Sequence, residues 1–231
     1  MTPPAFARAR VDWQRAWRII PSKYPPIQLF EDLTHDPADW ELLAELESAV
    51  NPRVRQELGA ISLVPPELRV RSTAVMAAFV HLNPLGSRFS DGRYGVYYAA
   101  QYRETAIRET VYHLEQRLRA GAAVPDDLDQ RVYVGAIVGT FVDLTRDTEA
   151  LAPLMAPDDY EASRRFAAEM RAAGEDGIVY VSVRHPGHKA LAVFRAPCIS
   201  PPVQERHLRY HWDGSHILRY FDYASEEWFE L

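Results

Sequence analysis

The spacing of apolar positions is clearest after residue 100, where Ile107, Val111, Leu114 and Leu118 fall in one narrow stripe at about 100° per residue. That spacing predicts an amphipathic helix. Just before it, residues 94–100 alternate as a strand does, with Val96 and Tyr98 on one face and Tyr97 and Ala99 on the other. A polar, glycine-punctuated loop over residues 83–92 leads into that strand. Earlier, W-Q-R-A-W-R-I-I at 13–20 predicts a short strand stopped by Pro21, after a loose lead-in over residues 1–12. Residues 36–50 predict a helix: Asp36 or Asp39 caps it, Leu42, Leu43, Leu46, Ala49 and Val50 form its stripe, and Asn51-Pro52 ends it. The apolar run 74–80 fits a buried helix or a buried strand equally.

Further on, residues 131–144 alternate as a long strand, with Gly135 and Gly139 marking a bulge or a close backbone approach. Residues 158–173 predict a helix with Phe166 and Met170 inward and Gly174 closing it. The runs 178–183 and 190–194 face each other across a His185-Pro186-Gly187-His188 turn, and aromatic strand signals recur in 216–223 and at the end. Short strands with a few helices, not in strict βαβ alternation, indicate an α+β fold.

With 231 residues and 47% hydrophobic content, the chain supports one domain spanning 1–231. Lys plus Arg number 26 against 32 Asp plus Glu, a formal charge of -6, so the electrostatic footprint of direct nucleic-acid binding is absent. Cys198 is the single cysteine, which excludes an internal disulfide framework and suits a reducing cytoplasm. No secretory h-region and no run of about 18 apolar residues is present, so membrane insertion is not expected. Phosphate-loop, dinucleotide, zincin and serine-hydrolase signatures are missing as well. The H-P-G-H stretch reads as a tight turn, and no metal site is expected. Asp158 and Asp159, with Glu161 following, read as helix capping residues in preference to a paired-carboxylate site.

What remains is the stretch 86–118, which carries Arg88 in the loop, Tyr98 on the strand and Glu109 on the helix, joined by Ser182 from the later strand. Glu109 lies nearly opposite the apolar stripe, and periodicity alone would leave it in solvent. The motif G-S-R-F-S-D-G-R-Y-G-V-Y-Y-A-A followed by E-T-A-I-R-E resembles the RES domain, named for its Arg, Glu and Ser, the toxin component of bacterial toxin–antitoxin pairs. Tyr98 lies ten positions after Arg88 and Glu109 eleven positions after Tyr98; Ser182 follows in V-Y-V-S-V-R, and W-R-I at 17–19 resembles the family's opening arginine. Two departures are Ser90, where the family often has Asn, and a long helical insertion at about 31–82.

The resemblance implies a fold similar to ADP-ribosyltransferases of the diphtheria-toxin type, with mixed β-sheets and flanking helices around an NAD cleft, and an activity that consumes NAD+ as substrate without a metal. On that basis Glu109 stabilises the cation that forms on the ribose, Arg88 and Arg18 hold phosphates, Tyr98 stacks on the nicotinamide or ribose, and Ser182 orients the ribose or the amide. The acceptor of ADP-ribose stays open between water, phosphate and a protein side chain. The resemblance further implies a cognate antitoxin, an Xre-like DNA-binding protein that blocks the cleft. The alternative is a catalytically degenerate, partner-binding module of the same fold.

Overall fold

The computed structural model describes residues 6–22, 63–146 and 149–231. Eight strands and three α-helices make up the described residues, with β1 at Arg8–Pro21, α1 at Thr73–Val80, β2 at Tyr97–Ala100, α2 at Arg103–Ala120 and β3 at Asp126–Leu144. Then follow α3 at Glu161–Ala172, β4 at Gly177–Val181, β5 at Lys189–Val193, β6 at Val203–Trp212, β7 at Ile217–Asp222 and β8 at Glu227–Glu230. The strands hydrogen-bond in the order β1-β2-β5-β4-β3-β6-β7-β8, and β1 also pairs with β3. Five strands thus close a ring of pairings, and β6, β7 and β8 extend from it. Only β3 with β4 runs parallel, so the sheet is mixed and the fold is α+β, as expected from the sequence.

The 19-residue β3 organises this arrangement because its two halves have different neighbours. Its first half lies between β1 and β6, and its end pairs with β4 at Val142, Asp143 and Leu144. The strand is glycine-marked where another chain segment comes close: a Cβ on Gly135 would stand 3.0 Å from Pro202, and one on Gly139 2.9 Å from Asp176. The bulge falls opposite them, on β1 between Trp13 and Ala16.

Period-two alternation divides the small sheet β2-β5-β4 between two cores. Tyr97, Ala99, Leu191, Val193 and Val179 face a cluster that includes Val75, Met76 and Phe79 of α1. Their neighbours Tyr98, Ala190, Ala192, Ile178 and Tyr180 face Phe166, Ala167 and Met170 of α3. A third cluster seats Ile107, Val111 and Leu114 of α2 against Val132, Leu208, Tyr210 and Trp212, with Leu118 at its margin. Each fully buried side chain of this size contributes about 1.5–3 kcal/mol of transfer free energy.

The 74–80 run is a helix, and its burial explains why the sequence did not decide it: Val75, Met76, Ala78, Phe79 and Val80 are all buried, leaving no polar face to set a period. β1 begins at Arg8, inside the stretch expected to be a loose lead-in, because Arg8, Arg10 and Asp12 occupy outward positions that disguise a strand. β2 starts three residues later than expected, since Gly95 packs directly on α1, where a Cβ would lie 2.3 Å from the Ala78 carbonyl oxygen. α3 starts at Glu161 instead of Asp158. Strand β6 was not anticipated at all. The expected helix at 36–50 and most of the expected insertion at 31–82 lie outside the described residues. Among the described residues no helix is long and apolar enough to cross a membrane.

Candidate active site

The loop 83–92 is shaped by Gly86 and Gly92, whose φ of 71° and 92° are left-handed conformations that favour glycine. Tyr98 ties it to the sheet: its hydroxyl lies 2.7 Å from Ser87 Oγ and accepts the Phe89 N–H at 3.0 Å. Burial pushes the Tyr98 phenol well above its ordinary range, so it stays neutral and available as a hydrogen-bonding group. From the other side α3 clamps the loop, with Ser163 Oγ donating to the Arg88 carbonyl at 2.7 Å and Arg164 donating to the carbonyls of Ser87 and Leu85. The backbone of Arg88 is fixed from two elements.

Glu109 sits on α2, and its side chain is only 22% exposed. Ser182 Oγ donates to its Oε1 at 2.6 Å, while the same oxygen accepts the backbone N–H groups of Arg184 at 3.2 Å and His185 at 2.9 Å. Ser182 is therefore an orienting group whose proton points at a carboxylate, and among the described residues no histidine side chain bonds its hydroxyl. Burial raises the Glu109 pKa, and the Ser182 bond and the charges of Arg88 and Arg184 oppose that rise. His113 approaches Glu109 Oε2 at 3.9 Å, yet desolvation and the charges of Arg184, Arg88 and Arg117 push its pKa down to about 4. At neutral pH it is uncharged, and the contact is not an ion pair.

Arg88 as a residue is 7% exposed, and its guanidinium forms no ion pair among the described residues. It stacks on Tyr160 at 4.6 Å and donates to the carbonyls of Ala156 at 2.7 Å, Leu154 at 3.4 Å and Pro157 at 3.4 Å. Arg184 reaches the same segment, donating to Pro157 O at 2.5 Å and to Asp158 at 3.1 Å while lying over the Tyr112 ring. Tyr112 in turn donates to Asp158. Asp158 is thus tied to Arg184 and Tyr112, not to the helix end; Asp159 bonds the Glu161 N–H instead.

Four of the five side chains singled out from the sequence gather here: Arg88, Tyr98, Glu109 and Ser182. Arg18 lies apart. It stacks on Tyr97, on the opposite face of β2, and donates to the Tyr98 carbonyl at 3.1 Å. His185 and His188 stack with parallel rings 3.8 Å apart, so their nitrogens do not converge, and His185 Nδ1 is engaged by Thr105. Among the described residues no three His, Cys, Asp or Glu side chains group as metal ligands. Burial beside Asp176 pushes the Cys198 thiol up to about 12, which makes it a poor nucleophile. Two open clefts of about 470 and 560 Å³ lie elsewhere, around Glu205 and Arg206 of β6, and share no residue with the Arg88–Glu109 cluster. Convergent chemistry marks the site, where the carbonyls of Leu154, Ala156 and Pro157 take the Arg88 donors.

Residues 66–213 match the RES domain. The chain belongs to the RES-domain family. The match contains Arg88, Tyr98, Glu109 and Ser182 and leaves Arg18, β7 and β8 outside. Over 215 residues the chain is 30% identical to y4oC of Sinorhizobium fredii, described as an uncharacterized protein, covering 91% of this chain and 89% of that one. Among solved structures it is similar to a chain of the M. tuberculosis MbcT-MbcA toxin-antitoxin complex, at 10% identity and a TM-score of 0.39, covering 63% of this chain and 79% of that chain.

Within this RES domain the sequence reading missed Arg184, Tyr112, Tyr160 and Tyr180. Tyr180 is buried on β4 and coupled electrostatically to Glu109, Tyr98 and Arg88. Position signals one of them: Tyr180 lies two residues before Ser182 at the end of β4, and side chains two apart on an extended chain share a face.

Proposed function

We propose that this RES domain is the toxin of a toxin–antitoxin pair and cleaves the bond between nicotinamide and ribose in NAD+. The observation that supports this most is the buried Glu109 carboxylate, held by Ser182 at 2.6 Å and faced by Arg88 and Arg184. In the proposed step the C1″–N bond breaks and its electron pair leaves with nicotinamide, neutralising the pyridinium. The ribose becomes cationic at C1″, and a fixed carboxylate stabilises that charge as it develops. An acceptor oxygen then bonds to C1″ and gives its proton to solvent.

Ser182 sets the carboxylate's orientation, and Tyr98, whose hydroxyl is bonded to Ser87 and Phe89, holds the loop that carries Arg88 and is the proposed stacking face for the nicotinamide or ribose. Arg88 supplies a planar fork suited to phosphate oxygens. Arg18, with its guanidinium on the Tyr97 face, is the least supported of the proposed contacts. Restraint of such an activity calls for a cognate antitoxin, of Xre-like DNA-binding type, covering the cleft near Arg88. A complex that binds NAD+ as well as the free chain does would rule out steric blocking.

The test follows adenine-labelled NAD+ incubated with the purified chain in three media: water alone, added phosphate, and a cell extract. Label in free ADP-ribose identifies a glycohydrolase, label in ADP-ribose 1″-phosphate a phosphorylase, and label on protein an ADP-ribosyltransferase. Intact NAD+ in all three would overturn the proposal in favour of a partner-binding module.

A further inference from the structure

The treatment of Arg88 is physically unusual. A cation this buried is normally bonded directly to a carboxylate, whereas the Arg88 donors go to carbonyl dipoles and its plane to one aromatic ring, with Glu109 acting on it only through space. A second guanidinium, Arg184, is 16% exposed and stands beside it, so Pro157 O is within hydrogen-bonding range of both. Two arginine forks around one oxygen atom repel each other, and among the described residues only the Asp158 carboxylate, on Arg184, bonds either of them directly. Their geometry is that of a receptor for an anion with several oxygens, such as a diphosphate, which bidentate guanidinium groups bind best.

The structure assigns Arg184 to the substrate site as the partner of Arg88 in a diphosphate-binding pair, with the segment 154–158 as an internal plug that occupies the pair until substrate displaces it. This deepens the reading of the site as one that takes NAD+, whose two nucleosides are joined by a diphosphate. The carbonyls of Leu154, Ala156 and Pro157 stand where phosphate oxygens would be held, and the Asp158 carboxylate supplies the one negative charge of the plug. Tyr112 acts as the catch by donating to Asp158 from α2, three residues from Glu109. The charged end of the plug is its weakest fastening, since the Asp158 side chain is 76% exposed and water competes for its bond to Arg184. An anion with more charge than one carboxylate displaces it.

Because the free chain spends part of its affinity on opening, the apparent dissociation constant exceeds the intrinsic one by the reciprocal of the open fraction. Calorimetric titration with inorganic diphosphate tests this on the full chain. Asp158→Asn should tighten binding by about three- to tenfold. Arg184→Gln should weaken it by about tenfold or more, and Arg184→Lys, which keeps the charge and loses the fork, should recover only part of that. Melting curves establish that each variant is folded. Unchanged affinity in Arg184→Gln would overturn the assignment and leave Arg184 as a brace for the segment, and unchanged or weaker affinity in Asp158→Asn would overturn the plug. Diphosphate binding that follows these shifts without any NAD+ consumption would sustain the anion site while refuting the NAD+ reading. NAD+ consumption by a chain that binds no diphosphate would do the reverse.

Discussion

Replacing Ser182 with alanine removes one oxygen atom from a site where that oxygen makes three hydrogen bonds. The side chain is 1% exposed, so water does not readily take its place. Loss of the bond to the Glu109 carboxylate costs about 1.5–3 kcal/mol, and the N–H groups of Arg184 and His185 lose their acceptor at about 1–3 kcal/mol in a buried setting. Glu109 keeps some access to solvent, which recovers part of the first loss, so the net destabilisation comes to about 3 kcal/mol. For a chain of this length that lowers Tm by about 6–12 °C. A double-mutant cycle with Glu109→Ala, followed by thermal or urea melts, isolates the Oγ–Oε1 bond and should give a coupling of about 1.5–3 kcal/mol. The variant has a second signature: Ser182 pulls the Glu109 pKa down, so without it the raised pKa rises further, and any activity that needs the carboxylate sets in at higher pH. A loss under about 0.5 kcal/mol with no coupling would refute the account of Ser182 as the group that orients Glu109.

Glu109→Gln should melt at a higher temperature than the parent at pH 7. A folded-state pKa raised by burial contributes stability that is present below the unfolded carboxylate pKa and lost as pH rises through the folded value, and glutamine keeps the neutral form throughout; the Tm gap should therefore close on acidification. If the chain cleaves NAD+ as proposed, the same shift means that the rate falls as pH drops through the raised Glu109 pKa, which a pH–rate profile reads directly. Tyr98→Phe removes the acceptor for the Phe89 N–H and the partner of Ser87 Oγ, so stability should drop by about 1–3 kcal/mol in a urea melt and the Arg88 loop should loosen. Gly95→Ala forces a Cβ to within 2.4 Å of α1 backbone atoms that cannot rotate away, and should cost about 3 kcal/mol or more by the same measure.

Glu109 shows where the sequence stops being informative. Its helix was legible from Ile107, Val111 and Leu114, but the same period assigned Glu109 to solvent. The turn after Ser182 covers that second face, bonding Thr105 through His185 and Glu109 through Ser182, and no helical period encodes a contact made 73 residues away. The resemblance carried by Arg88, Tyr98, Glu109 and Ser182 compensated for this, and four separate segments bring the four together. Strand β6 went unseen because Gln204, Arg206, His207, Arg209 and His211 outweigh its inward Leu208, Tyr210 and Trp212 in composition, although the final five residues alternate cleanly. Asp158 followed the local rule for a helix start, and tertiary partners on α2 and at Arg184 captured it instead. Arg184 was hidden for a related reason, since a charged residue beside a Pro-Gly turn reads as solvated until the opposing segment is known.

The rate of nicotinamide release from NAD+, measured for the parent chain and for folded Glu109→Gln at neutral pH, is the most direct test of the proposed role of Glu109. The account predicts release by the parent and a loss of at least about a hundredfold in the variant, the scale on which removing one preorganised electrostatic group acts. Equal rates in the two proteins would contradict it.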